Sequence, residues 1–353
     1  MRYASTTTPL GRKLETRRRI GAVQAAGGRP AILLALTCLA LLLLTGCGSA
    51  GESSDRRGAT IDVLLAWYPT PEYGGLYAAQ SQGFFKKQGI TVNIMPGGPQ
   101  VSPTEVVGAG HADIGYLAND EDLMEANDNG IAVTEFATTY QVFPGAIEYH
   151  LSHPISTLQQ VNGKVISGVT GSVSYEWLKH LYHLHNTVTP FSYATFGHNA
   201  DSLLLGFAPN DVPTLAAQGV KVGYLPTAKS GLEPYADILF AKSGYVSHNT
   251  ALIKRFLLAL GKGWQYFHSH YLQVDAVIFK AEPTTPLAVD NQIAKMEMSF
   301  IYSGAAKTSG IGSISISRVR NTYSKLRELM VLKHDLNIGR MVNATLVPKL
   351  LAP

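Results

Sequence analysis

Cysteine is almost absent from this chain of 353 residues, which contains only two. Cys38 lies inside an apolar run and Cys47 lies just after it, so no residue from position 48 onward carries a thiol. A disulfide framework, a cysteine-rich metal site and a thiol nucleophile are therefore excluded for that part of the chain.

Charged residues are also sparse, at 15% of the chain, whereas hydrophobic residues make up 46%. The net charge of +4 arises near the N-terminus, since residues 1–46 contain seven Lys or Arg and one Glu and the remainder carries −2. A basic surface for nucleic acid is therefore not expected. A chain of this length and composition can bury a large core, and its length suggests a protein of two lobes.

The N-terminal residues are arranged in the way that is typical of an export signal. Basic residues at positions 2–29 precede an apolar run at 31–44, which is shorter than the roughly 20 residues that span a bilayer. The following Leu44-Thr45-Gly46-Cys47 and its polar continuation resemble a bacterial lipobox. The resemblance implies that residues 1–46 are removed, that Cys47 carries a diacylglycerol, and that residues 47–59 form a flexible tether. We therefore expect a lipid-anchored protein on the extracytoplasmic face of the cell membrane.

From residue 60 onward, short apolar segments alternate with helical patterns, which predicts an α/β fold. A second, smaller block begins near Ile147, and the pattern becomes mostly helical after Ala241. The strand-like segments are 61–66, 90–95, 114–116, 132–137, 165–169, 221–225 and 238–241. The helical segments are 75–88, 101–109, 121–127, 174–185, 249–268, 286–300 and 316–332.

Several stretches, in order along the chain, resemble the family of thiamine-pyrimidine (HMP) synthase-like solute-binding proteins of ABC importers. They are WYPTPEYGGLYAAQ at 67–80 with GFFKKQGI at 83–90, GAGHADIGY at 108–116, NDVPTLAAQGV at 210–220, and DILFA at 237–241 with RFLLA at 255–259. Together they cover about residues 60 to 270.

The resemblance implies a two-lobed periplasmic-binding-protein fold with two crossings, each lobe a mixed sheet flanked by helices. We place the crossings near 141–147 and 241–244, which gives lobe 1 as 60–142 and 244–353 and lobe 2 as 143–243. The ligand would lie between lobes that close by a hinge motion. The expected partners are a small heteroaromatic ligand, an ABC permease and its ATPase, and the membrane through Cys47. We expect a monomer with no cofactor and no metal.

Two aromatic residues are the leading candidates for the ligand site. Trp67 and Tyr68 follow the first strand at its carboxyl end, where open α/β sheets bind their ligands. Pro69 and Pro71 stiffen this loop, so that the rings would be presented for stacking on a flat ligand. The alternative is that Trp67 belongs to the core. Tyr73, one turn further on, is a second-rank candidate.

Further candidates follow other predicted strands. Asn119 and Asp120 either line the cleft or cap the next helix, and Thr139 and Tyr140 end the strand at the first crossing. Ser172 precedes the second-lobe helix, where free backbone N–H groups can hold an anion or a carbonyl; the alternative there is a helix capped by Ser174 with nothing bound. Because no Lys or Arg accompanies this loop, an unphosphorylated ligand is favoured.

The resemblance also implies a ring contact near Asn210 and Asp211. The carboxylate of Asp211 would accept hydrogen bonds from the exocyclic amine of an aminopyrimidine. The alternative is an Asx turn between Pro209 and Pro213. Residues 196–210 are shorter than the family pattern, which bears on the placement of Phe207 as well.

The family includes an enzyme branch, the fungal thiamine-pyrimidine synthases, which use a lysine-bound pyridoxal phosphate and consume an active-site histidine. The corresponding positions here are Leu117 and Glu121, so neither requirement is met. We therefore expect a binding protein rather than an enzyme. The favoured ligand is a thiamine pyrimidine precursor, with riboflavin or another heterocycle as the alternative.

Overall fold

The computed structural model describes residues 58–169 and 171–348. The export signal, Cys47 and residues 47–57 of the predicted tether lie outside the described residues. Among the residues that are described, none of the helices has both the length and the apolar character needed to cross a membrane.

The first lobe is built on a five-stranded mixed sheet in the order β2-β1-β3-β10-β4. Strands β1, β2, β3 and β4 run in one direction and β10 runs against its two neighbours. Helices cover both faces, so that all eight residues of β4 are buried. The strands are β1 Ala59–Leu64, β2 Ile90–Met95, β3 Ile114–Asn119, β4 Val133–Tyr140 and β10 Ala236–Lys242. The helices between them are α1 Gly74–Ser81, α2 Phe84–Lys87, α3 Pro103–Ala109 and α4 Asp120–Asp128.

The second lobe is built on another five-stranded mixed sheet, in the order β7-β6-β8-β5-β9. One side of this sheet buries an apolar cluster that includes Ile147, Ile166 and Leu178, and the other buries Phe196, Leu204 and Leu215. The strands are β5 Gly145–His150, β6 Val165–Gly168, β7 Thr187–Pro190, β8 Leu203–Phe207 and β9 Val222–Pro226. The helices are α5 Val173–Tyr182, α6 Tyr193–His198 and α7 Ala208–Ala217.

The C-terminal part is helical and returns to the first lobe. Its long helix α9 crosses α1 at very close range, because a Cβ atom added to Gly263 would lie 2.0 Å from the carbonyl oxygen of Gly75. Only glycine permits this approach. The helices are α8 Ser243–His248, α9 Thr250–Ala281, α10 Leu287–Ile301, α11 Ala306–Ser309, α12 Ile316–Glu328 and α13 Ile338–Met341. Three short 3₁₀ turns lie at Pro71–Tyr73, Leu158–Val161 and Thr227–Ser230.

The placement of the second crossing near 241–244 is wrong. Strand β10 lies between β3 and β4 in the first sheet, so the chain returns to lobe 1 before Ala236, in the segment 227–235. The apolar run 238–241 shows that a buried strand is present, but it carries no information on which sheet receives the strand. The chain thus passes between the lobes twice. The first passage is the segment 141–144, between β4 and β5, and the second passage is the segment 227–235.

Other differences from the sequence prediction are local. The helix predicted at 75–88 is divided into α1 and α2, because Gly83 adopts a left-handed conformation with φ of 68°. Strands β5, β7 and β8 and helices α6, α7, α8, α11 and α13 were not predicted. The segment 196–210 is short, but it contains the end of α6, strand β8 and the start of α7.

Candidate ligand-binding site

The two passages lie at one end of the strands in each sheet, and these two ends face each other across the gap between the lobes; each is called the edge of its sheet below. The first passage joins the end of β4 to the start of β5, and the second joins the end of β9 to the start of β10. In the first sheet, Ala236 of β10 lies opposite Asn119 and Tyr140, so the carboxyl ends of β3 and β4 are at the edge that bears both passages. In the second sheet, Gly145 lies opposite Phe207, which puts the carboxyl end of β8 at the corresponding edge. Residues that follow these strands therefore border the gap between the lobes.

Trp67 and Tyr68 lie in the loop after β1 and are 45% and 44% exposed. Their rings contact each other edge to face, with centroids 5.4 Å apart and planes at 67°. The loop is held on both sides, since the Trp67 N–H donates to the Tyr73 hydroxyl at 3.0 Å and the Gly97 N–H donates to the Trp67 carbonyl at 3.0 Å. Two large, half-exposed aromatic side chains on a fixed backbone are typical of a stacking surface. The alternative that Trp67 is part of the core is wrong.

The opposing edge of lobe 2 also carries exposed apolar side chains. Val169 follows β6 and is 65% exposed, and Phe191 follows β7 and is 40% exposed. The Phe191 ring packs edge-on against Tyr193, with centroids 5.1 Å apart. Sequence reasoning missed both residues. Val169 was predicted as the last residue of the strand 165–169, and β7, which Phe191 follows, is a short edge strand that was not recognised.

A buried acidic cluster lies beside the Trp67 loop. It consists of the carboxyl groups of Glu72 and Asp237, which are 6% and 1% exposed, and the hydroxyls of Tyr73, Tyr116 and Tyr140. Burial, followed by the neighbouring carboxyl of Glu72, raises the pKa of Asp237 well above its usual range. Burial and the carboxyls of Glu72 and Asp237 likewise raise the pKa of Tyr73 well above its usual range. The Tyr116 hydroxyl and Asp237 Oδ2 have no hydrogen-bond partner in the described part of the chain.

Sequence reasoning missed Glu72 and Asp237 as site residues, although both stand inside the stretches that carry the family resemblance. Glu72 belongs to the 3₁₀ turn after the Trp67 loop, and Asp237 lies in β10. They are brought together only by the insertion of β10 into the first sheet. No local pattern in the sequence reports that long-range pairing.

Asn210 connects the lobes across the gap. It lies in the first turn of α7, and its Nδ2 donates to Glu72 Oε2 of lobe 1 at 3.2 Å. Its Oδ1 is buried and has no partner within residues 58–169 and 171–348. Phe207, just before α7, contacts the Phe143 ring of the first passage edge to face at 6.1 Å. Both residues thus lie at the junction of the lobes.

Asp211 lies inside lobe 2 and is 3% exposed. Its Oδ1 accepts a hydrogen bond from the Tyr193 hydroxyl at 2.6 Å. Burial raises the pKa of Asp211 to about 6, and burial followed by the charge of Asp211 raises the pKa of Glu148 well above its usual range. The Asx-turn alternative is wrong, because residues 208–217 form helix α7 with Pro209 in the first turn, where proline is well tolerated. The contact of Asp211 with a ligand amine stays a prediction.

Asn119 and Asp120 lie at the junction of β3 and α4. Asn119 occupies the N-cap position, but its side chain makes no capping hydrogen bond, and its Oδ1 has no partner among the described residues. Asp120 is fully buried; burial raises its pKa to about 7, and the nearby Arg318 acts in the opposite direction. Capping by the Asn119 side chain therefore does not explain this pair.

Thr139, Tyr140 and Ser172 are less directly placed for a ligand. Thr139 and Tyr140 are buried at the end of β4, and the Tyr140 hydroxyl donates to Glu297 Oε1 of α10 at 2.9 Å. Ser172 is the N-cap residue of α5 without a side-chain capping hydrogen bond, and Ser174 lies inside the helix rather than at its cap. Binding by these three residues stays a prediction.

The positions that carry chemistry in the fungal synthases are filled by groups of another kind. Leu117 is 3% exposed and belongs to an apolar cluster that includes residues of lobe 1 together with Val173 and Trp177 of α5. Glu121 is 3% exposed, and burial raises its pKa well above the usual range. Within residues 58–169 and 171–348 there is no group of three or more His, Cys, Asp or Glu side chains that could hold a metal ion.

Comparison with known proteins identifies the family. The family described as NMT1/THI5 like matches residues 70–271. The chain belongs to this family. The resemblance found in the sequence is thereby confirmed.

Relatives of this NMT1/THI5-like protein include a binding protein and enzymes. The formylaminopyrimidine-binding protein of Halalkalibacterium halodurans is 20% identical over 239 residues, which cover 65% of this chain and 72% of that protein. The 4-amino-5-hydroxymethyl-2-methylpyrimidine phosphate synthase of Aspergillus parasiticus is 23% identical over 266 residues, which cover 69% of this chain and 76% of the enzyme.

Solved structures with the same fold include periplasmic binding proteins. The aliphatic sulphonate binding protein SsuA from Escherichia coli has a TM-score of 0.62 and 16% identity, and the match covers 80% of this chain and 92% of SsuA. The alkanesulfonate-binding SsuA from Xanthomonas axonopodis pv. citri has a TM-score of 0.60 and 14% identity over 81% of this chain and 98% of that one. The predicted two-lobed α/β fold of the periplasmic-binding-protein type is confirmed.

Proposed function

We propose that this NMT1/THI5-like protein is an extracytoplasmic, lipid-anchored solute-binding protein of an ABC importer, and that it binds a small flat heteroaromatic such as a thiamine pyrimidine precursor between its lobes. The observation that carries the proposal is the pair of half-exposed rings of Trp67 and Tyr68 at the edge that faces lobe 2. The lipid anchor rests on the lipobox-like sequence that ends at Cys47.

Stacking would supply much of the affinity. A flat ring placed on Trp67 or Tyr68 gains about 0.5–1.5 kcal/mol per aromatic pair beyond the burial of its area. Val169 and Phe191 on the opposing edge would cover the other face of the ring when the lobes close. Closure removes water from both faces, which favours a planar, weakly polar ligand.

Hydrogen-bond acceptors at the gap would select the ligand's polar groups. Asn119 Oδ1, Asn210 Oδ1 and Asp237 Oδ2 are buried without partners among the described residues. A buried acceptor without a partner is costly, and a ligand that donates hydrogen bonds relieves that cost. An exocyclic amine meets this requirement. Asp237 Oδ2 in lobe 1 is the carboxyl oxygen that we propose for it, and Asp211 Oδ2, which also has no partner among the described residues, is the alternative in lobe 2.

A synthase-like activity is the less favoured alternative. It would require a lysine and a histidine where this chain has Leu117 and Glu121, both of which are buried. The name of the Halalkalibacterium relative supports a pyrimidine ligand without catalysis.

Titration of the purified protein with three ligands tests the proposal. The ligands are 4-amino-5-hydroxymethyl-2-methylpyrimidine, its formylaminomethyl analogue and riboflavin. Of the three tryptophans, Trp177 and Trp264 are 6% and 1% exposed, so quenching of the solvent-exposed tryptophan emission reports on Trp67. We expect saturable quenching by at least one aminopyrimidine, with calorimetry as the independent measurement. Absence of binding by all three ligands would contradict the ligand class.

Two substitutions locate the binding surface. Trp67→Ala and Tyr68→Ala are each expected to weaken binding about tenfold or more, which corresponds to about 1.4 kcal/mol. The matched control is Leu272→Ala, which removes an exposed apolar side chain from α9 and should leave the affinity unchanged. Equal affinities for all of these variants would show that the ligand binds elsewhere.

The anchor has its own test. A host strain that expresses the full chain is grown with a radiolabelled fatty acid, and the protein is expected to incorporate the label and to sediment with membranes. Cys47→Ala should abolish the labelling, whereas Cys38→Ala should not. Labelling that survives Cys47→Ala would refute lipidation at this residue.

A further inference from the structure

Arg318, on helix α12 of the first lobe, contacts both passages between the lobes. Its Nη1 donates to the carbonyl oxygen of Gln141 in the first passage at 2.6 Å. Its Nε and Nη2 donate to the carbonyl oxygens of Glu233 and Pro234 in the second passage at 2.7 and 2.6 Å. One guanidinium therefore joins two chain segments that are more than ninety residues apart in sequence.

The guanidinium is fixed in this position by its surroundings. Its central carbon lies 4.0 Å from the centroid of the Tyr235 ring, and Nη2 lies 3.8 Å from the carboxylate of Glu233. The charge of Arg318 also acts on the buried carboxyls of Asp120 and Glu135, where it opposes the rise in pKa that burial causes. The side chain of Arg318 is 16% exposed. Such a group is a rigid connector rather than a mobile surface charge.

Helix α12 also contacts the second lobe directly. Near its C-terminal end, Glu328 pairs with His180 of α5 at 3.1 Å, and the Lys325 ammonium lies 5.3 Å from the Trp177 ring. The Trp177 Nε1–H in turn donates to the carbonyl oxygen of Ser230 in the second passage. Helix α12 thus touches lobe 1, lobe 2 and both connections between them.

We infer that Arg318 is a positioning residue that ties the two interlobe passages together and thereby limits how far the lobes separate. In a two-crossing protein, opening requires both passages to change their backbone angles in a coordinated way. Three hydrogen bonds from one planar, charged donor hold the carbonyl groups of the two passages at a fixed spacing. The inference goes beyond the proposed function, because it concerns the ligand-free protein and does not depend on which ligand is bound.

Lysine cannot replace this arrangement. An ammonium group is a compact donor without the planar fork that reaches two segments at once. Arg318→Lys keeps the charge beside Asp120 and Glu135 but loses the bridge. Arg318→Met removes both, so that comparison of the two variants separates the effect of the bridge from that of the charge.

The test is the distribution of distances between the lobes without ligand. Spin labels are attached to Lys86→Cys on α2 of lobe 1 and Gln159→Cys of lobe 2, both exposed positions, in the full chain with Cys38→Ser and Cys47→Ser. Pulsed electron paramagnetic resonance then gives the distance distribution. For Arg318→Lys we expect a broader distribution that extends to longer distances, with the population of open forms raised about tenfold if the bridge is worth one charged hydrogen bond.

The matched control is Arg320→Lys, an exposed arginine two residues further along the same helix, which should leave the distribution unchanged. Circular dichroism checks that each variant is folded. If Arg318→Met does not fold, Arg318→Lys decides the test. A folded Arg318→Lys whose distribution equals that of Arg320→Lys would overturn the inference, and that result would leave the ligand proposal untouched.

Discussion

Asp237 combines several unfavourable features at one position. It is a non-glycine residue with φ of 50°, it is 1% exposed, and its Oδ2 has no partner within the residues that the structure describes. A left-handed conformation of this kind costs on the order of 1–3 kcal/mol and is concentrated at functional sites. Its position beside Glu72, at the edge that faces lobe 2, is consistent with a residue kept for binding rather than for stability.

Asp237→Asn is therefore expected to separate stability from binding. Burial and the neighbouring carboxyl of Glu72 raise the pKa of Asp237 in the folded state, whereas the unfolded chain ionises near pH 4, so above about pH 4 the wild type loses stability that asparagine retains. We expect a melting temperature a few degrees higher than that of the wild type at about pH 8 and a smaller difference at about pH 5. The same variant should bind an aminopyrimidine more weakly, because a donating amine favours the ionised carboxyl, which accepts hydrogen bonds at both oxygens, whereas an amide accepts at one.

Thermal unfolding at the two pH values and calorimetric titration measure these effects. Asp201→Asn is the control, since Asp201 is an exposed aspartate of lobe 2. A variant of Asp237 that is less stable than the wild type at about pH 8 would show that the carboxylate has a stabilising partner.

At the scale of elements, the crossing of α1 and α9 depends on glycine. Gly263 meets the backbone of Gly75 at a distance that leaves no room for a Cβ atom, and a Cβ on Gly75 would lie 2.3 Å from the Trp264 ring. Gly263→Ala is expected to lower the free energy of unfolding by about 1–3 kcal/mol or more, because the helices must separate.

Gly244→Ala is the matched control for that substitution. Gly244 lies in helix α8 and a Cβ atom there would meet nothing within 4 Å. Alanine should stabilise this helix by about 0.4–1 kcal/mol. Denaturant unfolding measures both variants, and an equal effect of the two substitutions would contradict the close helix contact.

The elements that sequence reasoning found are those with a strong local signal. Strand β2 agrees with the prediction at both ends, and β1, β3, β4 and β6 agree within a few residues. Helix α7 was missed because Pro209 and Pro213 suggest a turn, yet the helix tolerates Pro213 inside it. Strand β7 was missed because it is a short edge strand that carries little apolar pattern.

Site residues that directly follow a strand could be predicted from the sequence, whereas those that only the sheet topology brings together were missed. Trp67 and Tyr68 follow a strand directly, so their place at the edge could be predicted. Glu72 and Asp237 meet only because β10 enters the first sheet, and the contacts of Arg318 join parts of the chain that no sequence pattern relates.

For the molecule as a whole, buried carboxyl groups predict a stability that falls as the pH rises. Burial raises the pKa of Asp120 to about 7, of Asp211 to about 6, of Asp275 to about 8 and of Asp290 to about 7. Between the unfolded value near 4 and these values the folded protein binds more protons than the unfolded chain, so stability decreases with increasing pH in that range.

We expect a larger free energy of unfolding at about pH 5 than at about pH 8, as measured by denaturant titration at the two values. The double variant Asp275→Asn with Asp290→Asn should flatten this dependence, whereas Asp201→Asn should not. Greater stability at about pH 8 than at about pH 5 would show that these carboxyls have cationic partners when folded.

The insertion of β10 between β3 and β4 also dictates an order of assembly. The second sheet is formed by one continuous stretch, 145–226, whereas the first sheet stays interrupted until residues 236–242 have joined it. A chain that is synthesised from its N-terminus can therefore complete lobe 2 while lobe 1 still lacks its inner strand β10. Contacts between segments that are distant in sequence form slowly, and until they form, the unpaired strands of the incomplete lobe are prone to aggregation. We therefore expect the completion of lobe 1 to limit the yield of the folded protein.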